Sequence, residues 1–489
     1  MDKYQTSIFN DVLGPVMTGP SSSHTAAPWR IGYFIGRLMD QIIQIYIEFP
    51  DGGSYHGTYK GQKSDIAFVA GILGMQVTDS CFKDSFEIAE QRGILIQINI
   101  SQHALSHPNL SYITIENAHQ KICVESWSTG GGMFEIRSIN GFPVSCKGNC
   151  HELVLFESSG EITNTKLPEA PSDINNGNMR YIPPILPVPH RDIHLPFTTA
   201  DELKSFIKNN PMPLWKAAVL YESIRSGWSE SEVLEFAGNL VEVMRQSIIN
   251  GLKSDFYMSG FLTPSAQNIM KRMKDGPMID TGVIGNAALY SLAVMEYNSA
   301  MGIVVASPTA GSCGVIPGVL FSLDCMDVPD MDKCAKALLC AGIIGVFIAN
   351  QATFAAEVCG CQAEIGAASC MASAIAAFFL DSDIKTMLNA ASMALQNMLG
   401  LICDPVAGYT EIPCISRNAS AASNAIISAN LAAGGFDSVI PLDETILAMF
   451  ETGKMMPPEL RCTGRGGLCV TKTGKMIDEK INMRGLYND

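Results

Sequence analysis

Basic residues are scarce in this 489-residue chain: 33 lysines and arginines face 48 aspartates and glutamates, a formal net charge of -15, and the basic residues form no cluster. Phosphate backbones and anionic bilayers both reward patches of Lys and Arg, so the sequence argues against nucleic acid or a membrane as the main partner. Charge of either sign is sparse, at 17% of residues against 47% hydrophobic. That leaves much surface to bury and little polar surface to cover it, which speaks against disorder and for a large core or a homodimer. The N-terminus, Met1-Asp-Lys-Tyr-Gln-Thr-Ser, lacks a basic segment followed by an apolar one, so no secretory signal is read and a cytosolic protein is expected. The most continuous apolar run, 338–356, is about long enough to span a bilayer. It contains Asn350, Gln351 and Thr353 and has no basic flanks, which reads as a buried helix. No repeat of solenoid period occurs.

The length bounds the chain at two to four domains. Residues from about 42 to 160 alternate in strand fashion, as in Ile42-Ile-Gln-Ile-Tyr-Ile-Glu-Phe and Gly93-Ile-Leu-Ile-Gln-Ile-Asn-Ile, so 1–160 is expected to be an α+β domain. Between 161 and 196 the composition shifts to Pro, Asn and Ser, with Pro183, Pro184, Pro187, Pro189 and Pro196 removing backbone donors, which reads as a linker. From 197 to 489 the sequence is a succession of Ala-, Met-, Ile- and Gly-rich segments. Two of them, 369–380 and 419–433, are apolar nearly all round, which predicts an all-α domain with buried central helices.

No histidine follows His194, whereas eleven of the fifteen cysteines lie in the helical part. A site that needs imidazole and thiolate together is therefore expected where the two parts of the chain meet. In a reducing compartment the cysteines are thiols or metal ligands rather than disulfides, and any one of them can simply be a small buried hydrophobe.

Three groups of residues have chemical potential. Gly19-Pro-Ser-Ser-Ser-His-Thr25 places hydroxyls and an imidazole after a turn. It could hold a carboxylate with His24 as acid or base, or it could cap the helix that starts near Ala26. Ser307-Pro-Thr-Ala-Gly-Ser312 lacks the Lys of a phosphate loop, so a carboxylate nest and a plain helix cap both fit. Cys359, Cys361, Cys370, Cys403 and Cys414 show neither the paired knuckles of a zinc site nor the compact run of a ferredoxin. Pro405 and Pro413 break the chain near Cys403 and Cys414 and are expected to expose those sulfurs beside unpaired backbone.

Together these motifs resemble the iron–sulfur-dependent L-serine dehydratases. The resemblance rests on the Ser21–Thr25 run, Thr58-Tyr-Lys-Gly61 with Asp65, His107-Pro-Asn109 and Gly130-Gly-Gly132 in the first part. In the second it rests on Pro308-Thr-Ala-Gly-Ser312, Gly360-Cys-Gln-Ala-Glu364, Asn397 to Gly408, Ile412-Pro-Cys-Ile415 with Arg417-Asn-Ala419, and Gly466-Gly-Leu468. It covers nearly the whole chain and looks like the family's β and α parts fused in one polypeptide. It implies an α+β domain of the allosteric-substrate-binding type, followed by an all-α catalytic domain with a [4Fe–4S] cluster on Cys361, Cys403 and Cys414. The iron without a thiolate would take a substrate oxygen, and a base would remove the α-proton. Loss of water would give an enamine, which tautomerises to an imine and hydrolyses to a 2-oxo acid and ammonia. Thr309, Ser312 and Asn350 would bind substrate, with Ser22, Ser23 and Thr25 closing the site, and His24, Lys60 and Asp65 would act in catalysis.

The chain departs from the family pattern in four places. Where a His follows Lys-Gly in the family, this chain has Gln62, which cannot take a proton, so His56, Lys63 and His107 become candidate bases. The segment 259–265, Gly-rich in the family, reads Ser-Gly-Phe-Leu-Thr-Pro-Ser, and a family Glu is Cys462, which could be a fourth ligand, a redox-sensitive thiol or a packing change. The chain ends Gly485-Leu-Tyr-Asn-Asp489, without the terminal cysteine that caps the open iron in some members. Besides L-serine, the substrates in view are L-cysteine, losing hydrogen sulfide, and another 2-amino-3-hydroxy or 2-hydroxy acid. A non-catalytic iron–sulfur sensor and a structural zinc protein are the readings from other classes, and the lone Lys60 gives no pattern for pyridoxal phosphate.

Overall fold

The computed structural model describes residues 5–171, 178–191 and 193–485. They fall into two compact units, one comprising Met1–Pro20 with Arg191–Asp489, the other Ser21–His190.

The split differs from the expected boundaries at 160 and 196, for physical reasons visible at both ends. Residues 5–20 leave the α+β domain and join the helical unit. Ile8, Phe9, Val12 and Leu13 are fully buried, and the buried carboxylate of Glu222 accepts from Ser7 Oγ at 2.7 Å and from the Ile8 amide at 2.8 Å. The segment ends in β1 (Val16–Thr18), which pairs antiparallel with residues 303–305.

The Ser21–His190 unit follows with α1 (Ala27–Gly36), β2 (Gln44–Pro50), α2 (Ser54–Thr58), α3 (Ser64–Ile72), α4 (Ser85–Gln91), β3 (Leu95–Ser101), β4 (Leu110–Glu116), β5 (Lys121–Gly130), β6 (Met133–Ile139) and β7 (Phe142–Cys146). Its six-stranded sheet has the order β3-β2-β4-β5-β6-β7, with β2 and β3 parallel across the helical crossover and the other neighbours antiparallel. Strand alternation decides which face is inside. Ile45 and Ile47 of β2 stand opposite Ile115 and Ile113 of β4, and all four are fully buried under α1 and α3 in one apolar cluster. The two helices touch backbone to backbone. A Cβ on Gly32 would fall 2.3 Å from Phe68 O, and one on Gly71 would fall 2.2 Å from Trp29 O.

The expected linker is only partly irregular. β8 (His151–Phe156), β9 (Ile162–Leu167) and β10 (Met179–Ile182) form a second sheet in the order β10-β8-β9, and Val154, Ile162 and Ile182 enter the same core. The prolines act only from Pro183 onward.

The remainder is helical, apart from β11 (Ile303–Val305): α5 (Ala200–Asn209), α6 (Leu214–Ser226), α7 (Glu230–Lys253), α8 (Ala266–Asp275), α9 (Val283–Ser299), α10 (Val315–Leu323), α11 (Met331–Gln351), α12 (Ala356–Cys359), α13 (Ile365–Phe379), α14 (Ile384–Gln396), α15 (Cys414–Ala433), α16 (Leu442–Met455) and α17 (Lys472–Gly485). The fold class is thus the expected one, an α+β part followed by an all-α part. α11, and α13 with the turn before it, are long and apolar enough to cross a membrane, but each is mostly buried inside the protein. α11 holds most of the apolar run 338–356 that reads as a buried helix, and α13 holds most of the all-round apolar segment 369–380.

Candidate functional site

The three cysteines singled out by motif sit on loops that hydrogen bonds tie to one another. α12 ends at Gly360, whose φ of +72° belongs to glycine and whose missing Cβ lets Leu401 O and Met456 Sδ approach to 2.8 Å of where it would stand. Cys361 then opens a single turn, Cys361–Ala363, that leads into α13. Buried Gln362 binds this turn to the chain that precedes Cys403. Its Oε1 accepts from the Gly400 amide at 3.0 Å, its own amide donates to Leu401 O at 3.1 Å, and its Nε2 donates to Cys359 O and Met449 O. The Cys403 amide donates to Leu460 O at 2.9 Å, and the Cys462 amide donates to Cys403 O at 3.0 Å. Cys462, held at φ +60°, thereby joins the group. Cys414 opens α15 directly after Pro413.

All four thiols are buried. The prolines do end the helices, but the expected exposure of Cys403 and Cys414 is corrected: the two residues are 4% and 8% exposed, because the loops fold over them. The Cys403 thiol is bonded to those of Cys361 and Cys462, and these contacts, followed by burial, push it well above the usual thiol range. Burial first, then the neighbouring thiols and Glu364, do the same to Cys414. Such crowding is costly for bare thiols and is relieved when a cation draws their protons off. Two features favour that outcome. Cys414 stands at the start of α15, where the helix dipole favours negative charge. Arg417 stays charged although partial burial opposes it, because Cys361, Asp404 and Cys414 lie beside it. Its Nη1 donates to Asp404 Oδ1 at 2.8 Å and to Ile402 O at 2.9 Å.

A carboxylate completes the group. The ligand atoms of Cys361, Glu364 and Cys403 all lie within 4.8 Å of one another. Burial, then repulsion from Glu357, pushes Glu364 up to about 8 against the lowering effect of the Thr309 hydroxyl bonded to it. Thr309 and Ser312 are buried, and their hydroxyls lie 3.2 Å apart, the helix-cap geometry left open by the sequence. Asn418 ties this loop to Cys414, donating to Gly311 O at 2.8 Å and Cys414 O at 2.9 Å. The segment 259–265 is also placed: the amides of Gly260, Phe261 and Leu262 converge at 2.8–2.9 Å on the buried carboxylate of Glu411, three residues before Cys414. Asn350 is not part of this group. It is held by Thr6 and Thr198 on the wall of a cavity of about 700 Å³ whose described lining includes none of the four cysteines.

The remaining predicted residues belong to the Ser21–His190 unit. Ser22 to Ala26 form one wide turn capped by Ser21 and running into α1. Buried His24 has Ser23 Oγ 2.8 Å from Nδ1 and Ser54 Oγ 2.9 Å from Nε2, with Tyr55 edge-on to its ring. Thr25 Oγ1 donates to the backbone carbonyl of buried Gln62 at 2.8 Å. Burial raises Asp65 to about 6 against its neighbours Lys63 and Lys60. Lys60 is exposed and Lys63 half-buried. His56 is exposed and paired with Asp51 at 2.9 Å. His107 accepts from the Asn109 amide and packs on Trp127. Sequence reasoning quoted Gln362, Glu364, Asp404, Glu411 and Arg417 within motifs but gave them no role. An acid three residues after one cysteine and a base three residues after another were the available signals.

Residues 152–469 match the serine dehydratase alpha chain family. The chain is 35% identical over 285 residues to the probable L-serine dehydratase alpha chain of Bacillus subtilis, covering 58% of this chain and 95% of that protein. It is 30% identical over 477 residues to L-serine dehydratase 2 of Escherichia coli, covering 92% and 96%. It is 27% identical over 470 residues to the L-serine dehydratase of Helicobacter pylori, covering 93% and 96%.

Proposed function

We infer the function from one premise, that the chain belongs to the serine dehydratase alpha chain family. It is a lyase that takes water from L-serine and yields pyruvate and ammonia, and Cys361, Cys403 and Cys414 hold a [4Fe–4S] cluster in it. The observation that carries the cluster is the donor set: buried thiols, Cys403 in contact with Cys361 and Cys462, and Cys414 at the start of α15 acting on the same group, with a guanidinium beside them. When bound, such a cluster with one iron free of thiolate supplies a Lewis acid that makes hydroxide a tolerable leaving group.

The chain's own residues do the rest. Arg417 balances the negative charge of the ligands and keeps Cys414 in register through Asp404. The loops over the thiols keep bulk water away from them. Ser312 orients the substrate carboxylate, while the Thr309 hydroxyl is held by Glu364. The enzyme is a cytosolic homodimer acting on a small amino acid, a reading supported by the low charge and the buried apolar helices.

Anaerobic purification with iron reconstitution, followed by a visible spectrum and a 2-oxo acid assay with L-serine before and after air, tests the reading. A broad iron–sulfur band with air-labile pyruvate formation is expected. Absence of a cluster from the reconstituted protein refutes the ligand assignment, and a cluster without pyruvate refutes the reaction. A second reading, the same chemistry on L-cysteine or another hydroxy acid, is favoured by Gln62, and rates measured side by side on serine, threonine and cysteine decide it.

A further inference from the structure

Among the described residues, no cationic side chain pairs with Glu364. Its oxygens share a sphere of 4.8 Å with the sulfurs of Cys361 and Cys403, and of these three residues it alone is partly exposed. The space in front of it is kept open by Gly311, where an added Cβ would stand 3.4 and 3.5 Å from the two carboxylate oxygens. Its hydrogen-bond donor is the Thr309 hydroxyl, and the nearest charge that acts on it is a second carboxylate, Glu357. Among the described residues no ion pair is formed with it. Arg417, the guanidinium of the site, is turned to Asp404 instead. Burial holds the proton on Glu364 while the site is empty, and a cationic group on the ligand makes the carboxylate form favourable there.

We propose that Glu364 binds the α-ammonium group of the substrate and thereby selects amino acids over the corresponding acids without an amino group. The proposal rests on the dehydratase reading and adds the residue that sets its substrate class. The dimensions agree. In a 2-amino-3-hydroxy acid the hydroxyl and the ammonium are three bonds apart, roughly 3 Å on standard bond lengths, so one group can face the thiol-bound centre while the other meets a carboxylate within 4.8 Å of the same sulfurs. Thr309 fixes the rotamer of Glu364, so the carboxyl group is held in place before substrate arrives.

The test uses the full chain, reconstituted anaerobically, with Glu364→Gln and Glu364→Asp. Two ligands are titrated by calorimetry and by the change in visible absorption: L-serine, and 3-hydroxypropionate, which keeps the carboxylate and β-hydroxyl but lacks the amino group. Glu364→Gln is expected to keep its iron and sulfide and to bind 3-hydroxypropionate as the wild type does. It should bind L-serine about ten- to a hundredfold more weakly, the weight of one charge-assisted hydrogen bond, with KM rising more than kcat falls. Glu364→Asp should recover part of the loss. Equal weakening for both ligands overturns the proposal, since a merely structural residue would act in that way. Loss of iron from Glu364→Gln also overturns it and makes Glu364 a ligand of the cluster. If the wild type takes up no iron or forms no 2-oxo acid, the dehydratase reading falls and takes this proposal with it, whereas a normal wild type with a Glu364→Gln that still prefers L-serine to 3-hydroxypropionate as strongly as the wild type does sinks the proposal alone.

Discussion

Arg417→Met should unlock the ring of loops around the thiols. Asp404 has 1% of its side chain exposed and Arg417 20%, with Nη1 and Oδ1 2.8 Å apart. Removing one partner of a buried pair costs about 3–5 kcal/mol because the other charge is left uncompensated. Asp404 retains its bond from the Leu468 amide at 2.8 Å, so the lower end, about 3 kcal/mol, is expected. A chain of two units does not unfold in one step, so the effect is best read locally. Amide hydrogen exchange in the segments 400–405 and 458–470 should quicken by about a hundredfold, since each factor of ten in an opening equilibrium is about 1.4 kcal/mol. The double variant Arg417→Met with Asp404→Asn separates charge from packing. The neutral amide can still accept from Leu468, so the double variant should exchange more slowly than Arg417→Met alone, by a coupling of about 1–2 kcal/mol. Exchange within threefold of wild type in Arg417→Met, or no rescue in the double variant, would refute the claim that an uncompensated Asp404 charge links Cys403 to Cys414.

Other positions give equally direct outcomes. Gly360→Ala puts a side chain into a backbone conformation suited to glycine and against Leu401 O. With strain of about 1–3 kcal/mol, the variant should fold but reconstitute with less iron and sulfide per chain than wild type, which colorimetric analysis measures. Glu411→Ala leaves the amides of Gly260, Phe261 and Leu262 without their acceptor, each at about 1–3 kcal/mol, and limited proteolysis should cut within 259–265 well before it does in wild type. Asp65 is raised from 3.8 to about 6 by burial, so the folded state holds its proton more tightly between those values. Its contribution favours folding at low pH and is lost as pH rises through that window. Asp65→Asn should therefore gain on wild type between pH 4 and pH 7.5, by about 3 kcal/mol at most, in urea midpoints of the transition that reports the Ser21–His190 unit.

Strand alternation and all-round apolar helices were legible because each needs only local periodicity. The runs at 42–49 and 93–100 became β2 and β3, and 369–380 and 419–433 fell in α13 and α15. β9 and β10 were missed because they lie outside the six-stranded sheet and carry polar residues such as Thr163, Asn164, Thr165 and Lys166, whose side chains have no long apolar face to advertise. Residues 5–20 were assigned to the wrong unit because a contact such as Glu222 with Ser7 crosses 215 positions, a separation that no window can see.

The same division holds at the site. By itself the sequence determined the family, through runs of residue types at fixed spacing such as the Ser21–Thr25 turn, the Thr309–Ser312 loop and the segments around Cys361, Cys403 and Cys414. Only the tertiary structure decided that Cys462 joins Cys403, that Arg417 is spent on Asp404, that Asn350 faces another cavity, and that, among the described residues, no cationic side chain pairs with Glu364 beside the thiols. Burial and charge compensation depend on which distant segments close over a side chain, and spacing along the chain carries no record of that.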